Sequence, residues 1–241
     1  MFFPPAKAGN VLRGALGKIG DEPESRRPGG LADPPRPFVL RAAHLDGKGF
    51  APGDHFTFSA NVFDGGVVDP LREACSRWAS SGLGPRRGRV ELIGFEEDTV
   101  TIDLGAGTPV SRCTLRFATP TSLKGNPFRD DIPFGVLFAR TRDRISALCS
   151  IYGDGAPEAD FRPIGERAAG VKTTQRDLHY QAVERRSSRT GAVHGIGGIT
   201  GTAQYEGDLT EFLPWLRAAW WTGVGRHTVW GNGVVEVVDV R

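Results

Sequence analysis

Cysteine is scarce. Cys75, Cys113 and Cys149 are the only three in 241 residues, far apart and each within an apolar run. No Cys-x-x-Cys pair occurs, which removes the usual zinc-ribbon ligand pattern. Three scattered thiols in apolar surroundings read as small buried hydrophobes of a reducing compartment, not as a disulfide framework. Long apolar runs are missing as well: no stretch approaches the roughly 18 residues of a membrane-spanning helix. The opening Met1-Phe2-Phe3-Pro4-Pro5 is too short and too proline-rich for a secretory leader, so a cytoplasmic location without a membrane partner is expected. Net charge is only +2, so the chain is no bulk polycation, and any surface for a polyanion must come from local clustering of arginines. There is no Gly-x-x-x-x-Gly-Lys-Ser/Thr loop to support nucleotide hydrolysis. The glycines of residues 195–201 have the wrong spacing for a dinucleotide fingerprint and read instead as a strand that admits close backbone approach. No carboxylate cluster suggests a metal, and no cofactor is expected.

What is present is enough apolar material, 39% of residues, for one large domain or two of ordinary size. Val11, Leu12, Ala15, Leu16 and Ile19 recur at helical spacing and predict a helix over residues 7–18. Residues 21–37, dense in proline, glycine and charge, read as a mobile connection in which Arg26, Arg27 and Arg36 are solvated. A strand is expected at 38–41. Another is expected at 55–63, where Phe56, Phe58, Ala60 and Val62 share a face, and His44 lies in the turn between the two. Val68, Leu71, Cys75 and Trp78 predict a helix that closes at Gly82 and Gly84, and strands are then expected at 90–95 and 99–104 around the acidic turn Glu96-Glu97-Asp98. The small, polar run 105–109 is the best boundary, giving domains 1–107 and 108–241.

The second domain repeats the order. Cys113, Leu115 and Phe117 alternate as a strand, and Phe134, Leu137, Phe138, Ile145, Leu148 and Tyr152 mark a helix on which Arg140, Arg142 and Arg144, spaced by two, form a solvated face. A long loop fills 153–170 and strands follow at 178–184 and 196–205. A helix is expected over 208–222, with Asp208 and Glu211 as its capping box. Pro214 lies beyond the first turn of such a helix and demands either a kink or a later start. Strand, helix, strand, strand, helix, strand, twice over, is an α+β chain of tandem ferredoxin-like (RRM-like) βαββαβ units. The first unit lacks a complete first strand, because residues 1–5 supply only its end.

Between the last helix and the last strand stands Gly-Val-Gly-Arg-His-Thr-Val-Trp-Gly-Asn-Gly, residues 223–233. Gly223, Gly225, Gly231 and Gly233 frame Arg226 and His227. Such a loop, able to visit positive φ, presents backbone N–H groups and cations to a phosphate chain; it also suits a plain helix C-cap followed by a tight turn. Arg185, Arg186 and Arg189, with Ser187 and Ser188, form a polar turn that reads equally as a solvated hairpin tip or as a grip on RNA.

The glycine loop, the preceding Gly207-Asp208-Leu209 with Phe212-Leu213-Pro214 and Leu216, and the run from Pro5 through Ala6, Lys7, Ala8, Gly9, Asn10, Val11, Leu12, Arg13, Gly14, Ala15 and Leu16 to Gly17 together resemble the CRISPR repeat-processing endoribonucleases of the RAMP superfamily. The resemblance implies metal-independent cleavage of precursor CRISPR RNA by a 2′-hydroxyl, leaving a 2′,3′-cyclic phosphate and a 5′-hydroxyl. It also implies repeat RNA as the partner, with other CRISPR effector subunits or a second copy of the chain as further partners. Family members commonly carry a catalytic histidine on or after the first helix. Here Lys18 holds that helix end and the next histidine is His44, which becomes the candidate for proton transfer, with His55 and His227 behind it. Arg226, Lys18 or Arg13 would meet the charge of the transition state. The alternative is a non-catalytic RNA-binding subunit of an effector complex. An unrelated RRM-like binder is disfavoured because no aromatic RNP-type strand is evident.

Overall fold

The computed structural model describes residues 1–17, 19, 34–105, 107–158, 160–186 and 192–241, with Arg186 by its backbone alone. Lys18, Arg26, Arg27, Ser187, Ser188 and Arg189 lie outside the described residues.

In the first half, helix α1 (Ala8–Leu16) takes the place expected of it, burying Ala8, Gly9, Leu12 and Leu16. Its start is capped from a distance: Asp46 Oδ1 accepts from the N–H groups of Lys7 (3.0 Å) and Ala8 (2.8 Å). Strands β1 (Phe38–Arg41) and β2 (Ser59–Val62) pair antiparallel, so only the last part of the expected 55–63 strand is in the ladder. Helices α2 (Val68–Ser76) and α3 (Trp78–Ser81) follow. Their inner faces, with those of α1 and β1, form a core that includes Leu12, Leu16, Phe38, Leu40, Leu71, Cys75 and Trp78. The first strand is a stub, with Phe2 bridging Gly49. Residues 90–104 form no strand, against expectation. The reason is topological: in a ferredoxin-like sheet the fourth strand pairs with the first, and here the first offers one bridge in place of an edge.

The second half is a complete βαββαβ unit. Strand β3 (Arg112–Thr121), helix α4 (Phe134–Tyr152), strand β4 (Lys172–Gln181), strand β7 (Gly198–Glu206), helix α6 (Leu213–Thr222) and strand β8 (Val235–Val240) form an antiparallel sheet of order β4-β7-β3-β8, which is the ferredoxin-like arrangement. One face of the sheet carries Cys113, Leu115, Phe117, Ala203, Tyr205 and Val235 against Phe134, Phe138, Leu216 and Ala219 of the two helices. Phe134 meets Tyr205 and Phe212 edge-on, both at 5.2 Å between ring centroids, and Tyr205 Oη donates to the Ile132 carbonyl at 2.8 Å.

Several expectations are corrected here. The 153–170 segment is not all loop, because α5 (Phe161–Gly170) occupies its end, capped by Asp160 and burying Ile164 and Ala168. Strand β4 starts six residues earlier than the expected 178. Arg185 and Arg186 lie in a short strand, β5 (Glu184–Arg186), paired antiparallel with β6 (Val193–Gly195), so that Arg185 faces His194. Helix α6 begins late, with Pro214 in its first turn, where a missing N–H costs nothing. The capping box does not form. Asp208 Oδ1 accepts from Thr210 N at 3.1 Å, while Glu211 pairs with Arg167. Arg144 is not on a solvated face but half-buried against the end of α6, where its Nε donates to Thr222 O at 2.6 Å.

Candidate nucleic-acid interface

The carboxyl end of α6 sets the position of the glycine loop. Its last carbonyls point at cations from both halves of the chain. Arg41 Nη2 donates to Trp220 O and, at 3.2 Å, to Trp221 O; Asn61 Nδ2 donates to Trp221 O at 2.8 Å; Arg144 Nε donates to Thr222 O at 2.6 Å. Positive charge at the end of a helix is favourable because the unpaired carbonyls there carry partial negative charge. Burial pushes both guanidinium groups down to about 10, which leaves them charged at neutral pH.

The loop then folds back on residues 119–122. Val224 N donates to Gly233 O (2.8 Å), Arg226 N to Ser122 O (2.9 Å), Gly233 N to Pro120 O (3.1 Å) and Val234 N to Thr119 Oγ1 (2.9 Å). Asn232 Nδ2 donates to Ile196 O at 2.7 Å. This is what the glycines are for. At Gly225 (φ 80°) and Gly233 (φ 71°) a Cβ would overlap the carbonyl oxygens of Ser122 and Val224 respectively. The N–H groups of Val224, Arg226, Trp230, Gly231, Asn232 and Gly233 are thus spent inside the protein, and what the loop offers outward is chiefly its side chains.

α1 presses on the same loop from the other side. A Cβ at Gly9 would overlap the Trp230 carbonyl oxygen and stand 2.7 Å from its carbon. Above this contact the imidazole of His227 lies parallel to the indole of Trp230, 4.9 Å between centroids and 8° between planes, and the guanidinium of Arg185 sits 4.8 Å from the Trp230 centroid. His227 is one of three non-glycine residues with positive φ among the described residues, at 65°. Arg13, in the second half of α1, lies 5.7 Å from the Phe38 centroid, with its Nε buried and without a partner among the described residues. Burial lowers the pKa of Arg13, and the like charges of Arg36 and Arg185 lower it further. Three guanidinium groups therefore sit within electrostatic range of one another, with exposed Arg226 on the adjoining loop. A concentration of cations beside planar rings is chemistry suited to a phosphate chain and its bases.

The structure thus brings together Arg13, Arg185, Arg226, His227 and the four loop glycines. His44 lies in a helical turn (Ala43–Leu45) next to Asp46, which caps the start of α1, and its Nε2 is 2.8 Å from Thr57 O. His55 is exposed, and His179 on β4 pairs its Nε2 with Thr200 Oγ1 at 3.0 Å. Trp230, Arg36, Arg41 and Arg144 were not anticipated. Only Trp230 carried a signal, as the one large aromatic inside a glycine-bounded loop. Among the described residues, no group of three or more His, Cys, Asp or Glu is placed to hold a metal ion. No described helix is long and apolar enough to cross a membrane.

Residues 115–235 match the family described as CRISPR-associated endoribonuclease Cas6. No curated protein matches the sequence. Among solved structures, the chain is similar to a Cas6 product complex at 18% identity and a TM-score of 0.59, over 99% of this chain and 95% of that one. It is similar to Thermus thermophilus Cas6 at 19% identity and a TM-score of 0.56, over 99% and 93%. It is also similar to a Cas6 substrate mimic complex at 20% identity and a TM-score of 0.54, over 99% and 94%. At these identities the likeness speaks for the fold, and it covers both halves of the chain.

Proposed function

The chain belongs to the Cas6 family of CRISPR-associated endoribonucleases, and on that premise we propose that it binds CRISPR repeat RNA at the arginine corner beside the glycine loop and cuts precursor CRISPR RNA there without a metal ion. The observation that carries the reading is the convergence of Arg13, Arg36 and Arg185 on one corner with the His227–Trp230 stack. In this reading the two domains are residues 1–107 and 108–241. The first supplies Arg13 and Arg36, the second the loop and the hairpin.

The chemistry follows from the groups present. A 2′-hydroxyl attacks the adjacent phosphorus and the phosphorane-like transition state carries excess negative charge on its non-bridging oxygens. Guanidinium groups already held together by the fold meet that charge without reorganisation, which is the main source of electrostatic catalysis. Positioning of the sugar and phosphate supplies a further part of the rate. A second reading, RNA binding without cleavage, is favoured by one observation: the first helix holds no histidine and Lys18 stands at its end, where a histidine is frequent in the family that the chain resembles. Incubation of the protein with labelled repeat RNA from its own locus in EDTA separates the two. One cut, with a cyclic phosphate end, supports the nuclease. Tight binding with intact RNA supports the binding subunit.

A further inference from the structure

The geometry points to His227 as the group that gives the leaving 5′-oxygen its proton, an assignment that rests on the cleavage reading above. The chain has five histidines. His44 is tied to the Thr57 carbonyl, His179 to the Thr200 hydroxyl, and His55 is exposed ahead of β2. Two adjoin the arginine corner, His194 and His227. His194 is exposed on a hairpin strand, opposite Arg185. His227 is held. Its ring lies flat on Trp230, which carries Arg185, and its carbonyl accepts from Trp230 N at 3.0 Å and from Asn232 N at 3.4 Å. Its backbone is left-handed at φ 65°. Left-handed backbone costs a non-glycine residue energy and persists where the surroundings over-determine it, as they do at reactive sites. Proton transfer needs an oriented ring at hydrogen-bond reach of the reacting atom, and the stack fixes the plane of this imidazole beside the cations that would seat the scissile phosphate.

The step balances without a metal. The 2′-oxygen forms a bond to phosphorus and its proton passes to solvent. The bond from phosphorus to the 5′-oxygen breaks, and the electron pair leaves with that oxygen. The His227 imidazolium donates its proton there, giving a 5′-hydroxyl and a 2′,3′-cyclic phosphate, and solvent reprotonates the ring.

The test uses the full chain, repeat RNA and EDTA, with cleavage and binding measured separately. His227→Phe keeps a flat ring on Trp230 and removes the proton. His227→Asn keeps a residue that accepts left-handed backbone, which guards against misfolding of the first variant. Each is expected to bind repeat RNA and to cut on the order of a hundredfold or more slowly. A second substrate carries sulfur in place of the 5′-bridging oxygen at the scissile bond, so that its leaving group needs no proton. It should be cut at near the parental rate by both variants. Parental-rate cutting of ordinary RNA by His227→Phe overturns the assignment, as does a loss that the sulfur substrate fails to restore. Loss and sulfur rescue in His44→Ala but not in His227→Phe overturns it in favour of His44. If the parent itself never cuts, the cleavage reading falls, and this assignment with it.

Discussion

Two glycines on the same helix allow the contact between α1 and the glycine loop to be weighed. At Gly14 a Cβ would meet nothing within 4 Å; at Gly9 it would overlap the Trp230 carbonyl oxygen and stand 2.7 Å from its carbon. Alanine is better than glycine in a helix interior by about 1 kcal/mol, so Gly14→Ala should stabilise, raising Tm by about 2–4 °C for a chain of this size. At Gly9 the same gain is opposed by overlap. Ordinary contact between carbon atoms is about 3.5–4.0 Å, so the two backbones must part by about 1 Å, and neither can yield as a flexible side chain would. Overpacking of this kind costs about 1–3 kcal/mol, which leaves Gly9→Ala less stable than the parent by up to about 2 kcal/mol and lowers Tm by up to about 8 °C. The displacement is centred on Trp230, so affinity for repeat RNA should fall along with stability, while Gly14→Ala binds as the parent does. Thermal melting and an equilibrium RNA titration of the three proteins check this. A Gly9→Ala protein that melts at or above the parent and binds RNA equally well would refute the claim that α1 seats the loop by backbone contact.

The other expectations are shorter. Burial holds the Asp46 carboxyl above its usual pKa, in spite of the two N–H bonds it accepts, so a neutral amide oxygen should cap α1 as well. Asp46→Asn is expected to be near neutral and Asp46→Ala to cost about 1 kcal/mol by denaturant titration. Because this group's folded pKa is the higher one, its contribution is fullest below the unfolded value and is lost as pH rises through the folded one. The Asn variant should therefore gain on the parent as pH rises through the carboxylate range. Arg41→Ala removes the charged hydrogen bonds to Trp220 and Trp221 and should cost about 1.5–3 kcal/mol, more than Asn61→Ala; equal midpoints for parent and Arg41→Ala would count against the coupling. Arg13→Ala, Arg185→Ala and Arg226→Ala should each weaken binding whatever the RNA sequence and flatten the dependence of log affinity on log salt by roughly 0.7 for single-stranded contacts; an unchanged slope removes that residue from the phosphate site.

How much of this could be read from the sequence depends on whether the deciding interaction is local. The glycine loop was legible because its demand is local: positive φ at Gly223, Gly225, Gly231 and Gly233 is a property glycine has by itself. Strand β3 and helix α4 were legible because each buries one face of a simple period. The 90–104 segment has a good strand pattern and still makes no ladder, since a strand needs a neighbouring edge and the pattern says nothing of whether one exists. Helix α5 was hidden by Pro163 and Gly165, although Asp160 stood at its start as a cap signal. Arg144 looked solvated because arginines spaced by two spread around a helix. It is half-buried because the carboxyl end of α6 happens to need a cation there, and no spacing along α4 encodes that need.

The two halves are joined where the function is proposed, and this has a consequence for how the corner works. Arg41 and Asn61 of the first half hold the last carbonyls of α6, Gly9 lets α1 reach Trp230, and Val229 packs on the first half's core. Arg144, Thr119 and Ser122 of the second half fix the same loop from the opposite side. The cations of the corner likewise come from both halves, Arg13 and Arg36 from one, Arg185 and Arg226 from the other. Burial is the larger cause of the lowered Arg13 pKa, and the like charges of Arg36 and Arg185 lower it further, so bringing the three guanidinium groups together is unfavourable in itself, and the contacts of the seam hold them there. A polyanion relieves that repulsion. Whatever phosphate chain binds across the corner must therefore also tighten the seam, by the linkage that makes any ligand of the folded state stabilise it. Arg13, Arg36 and Arg185, proposed to seat RNA, are in this way the ones that repel one another in the free protein.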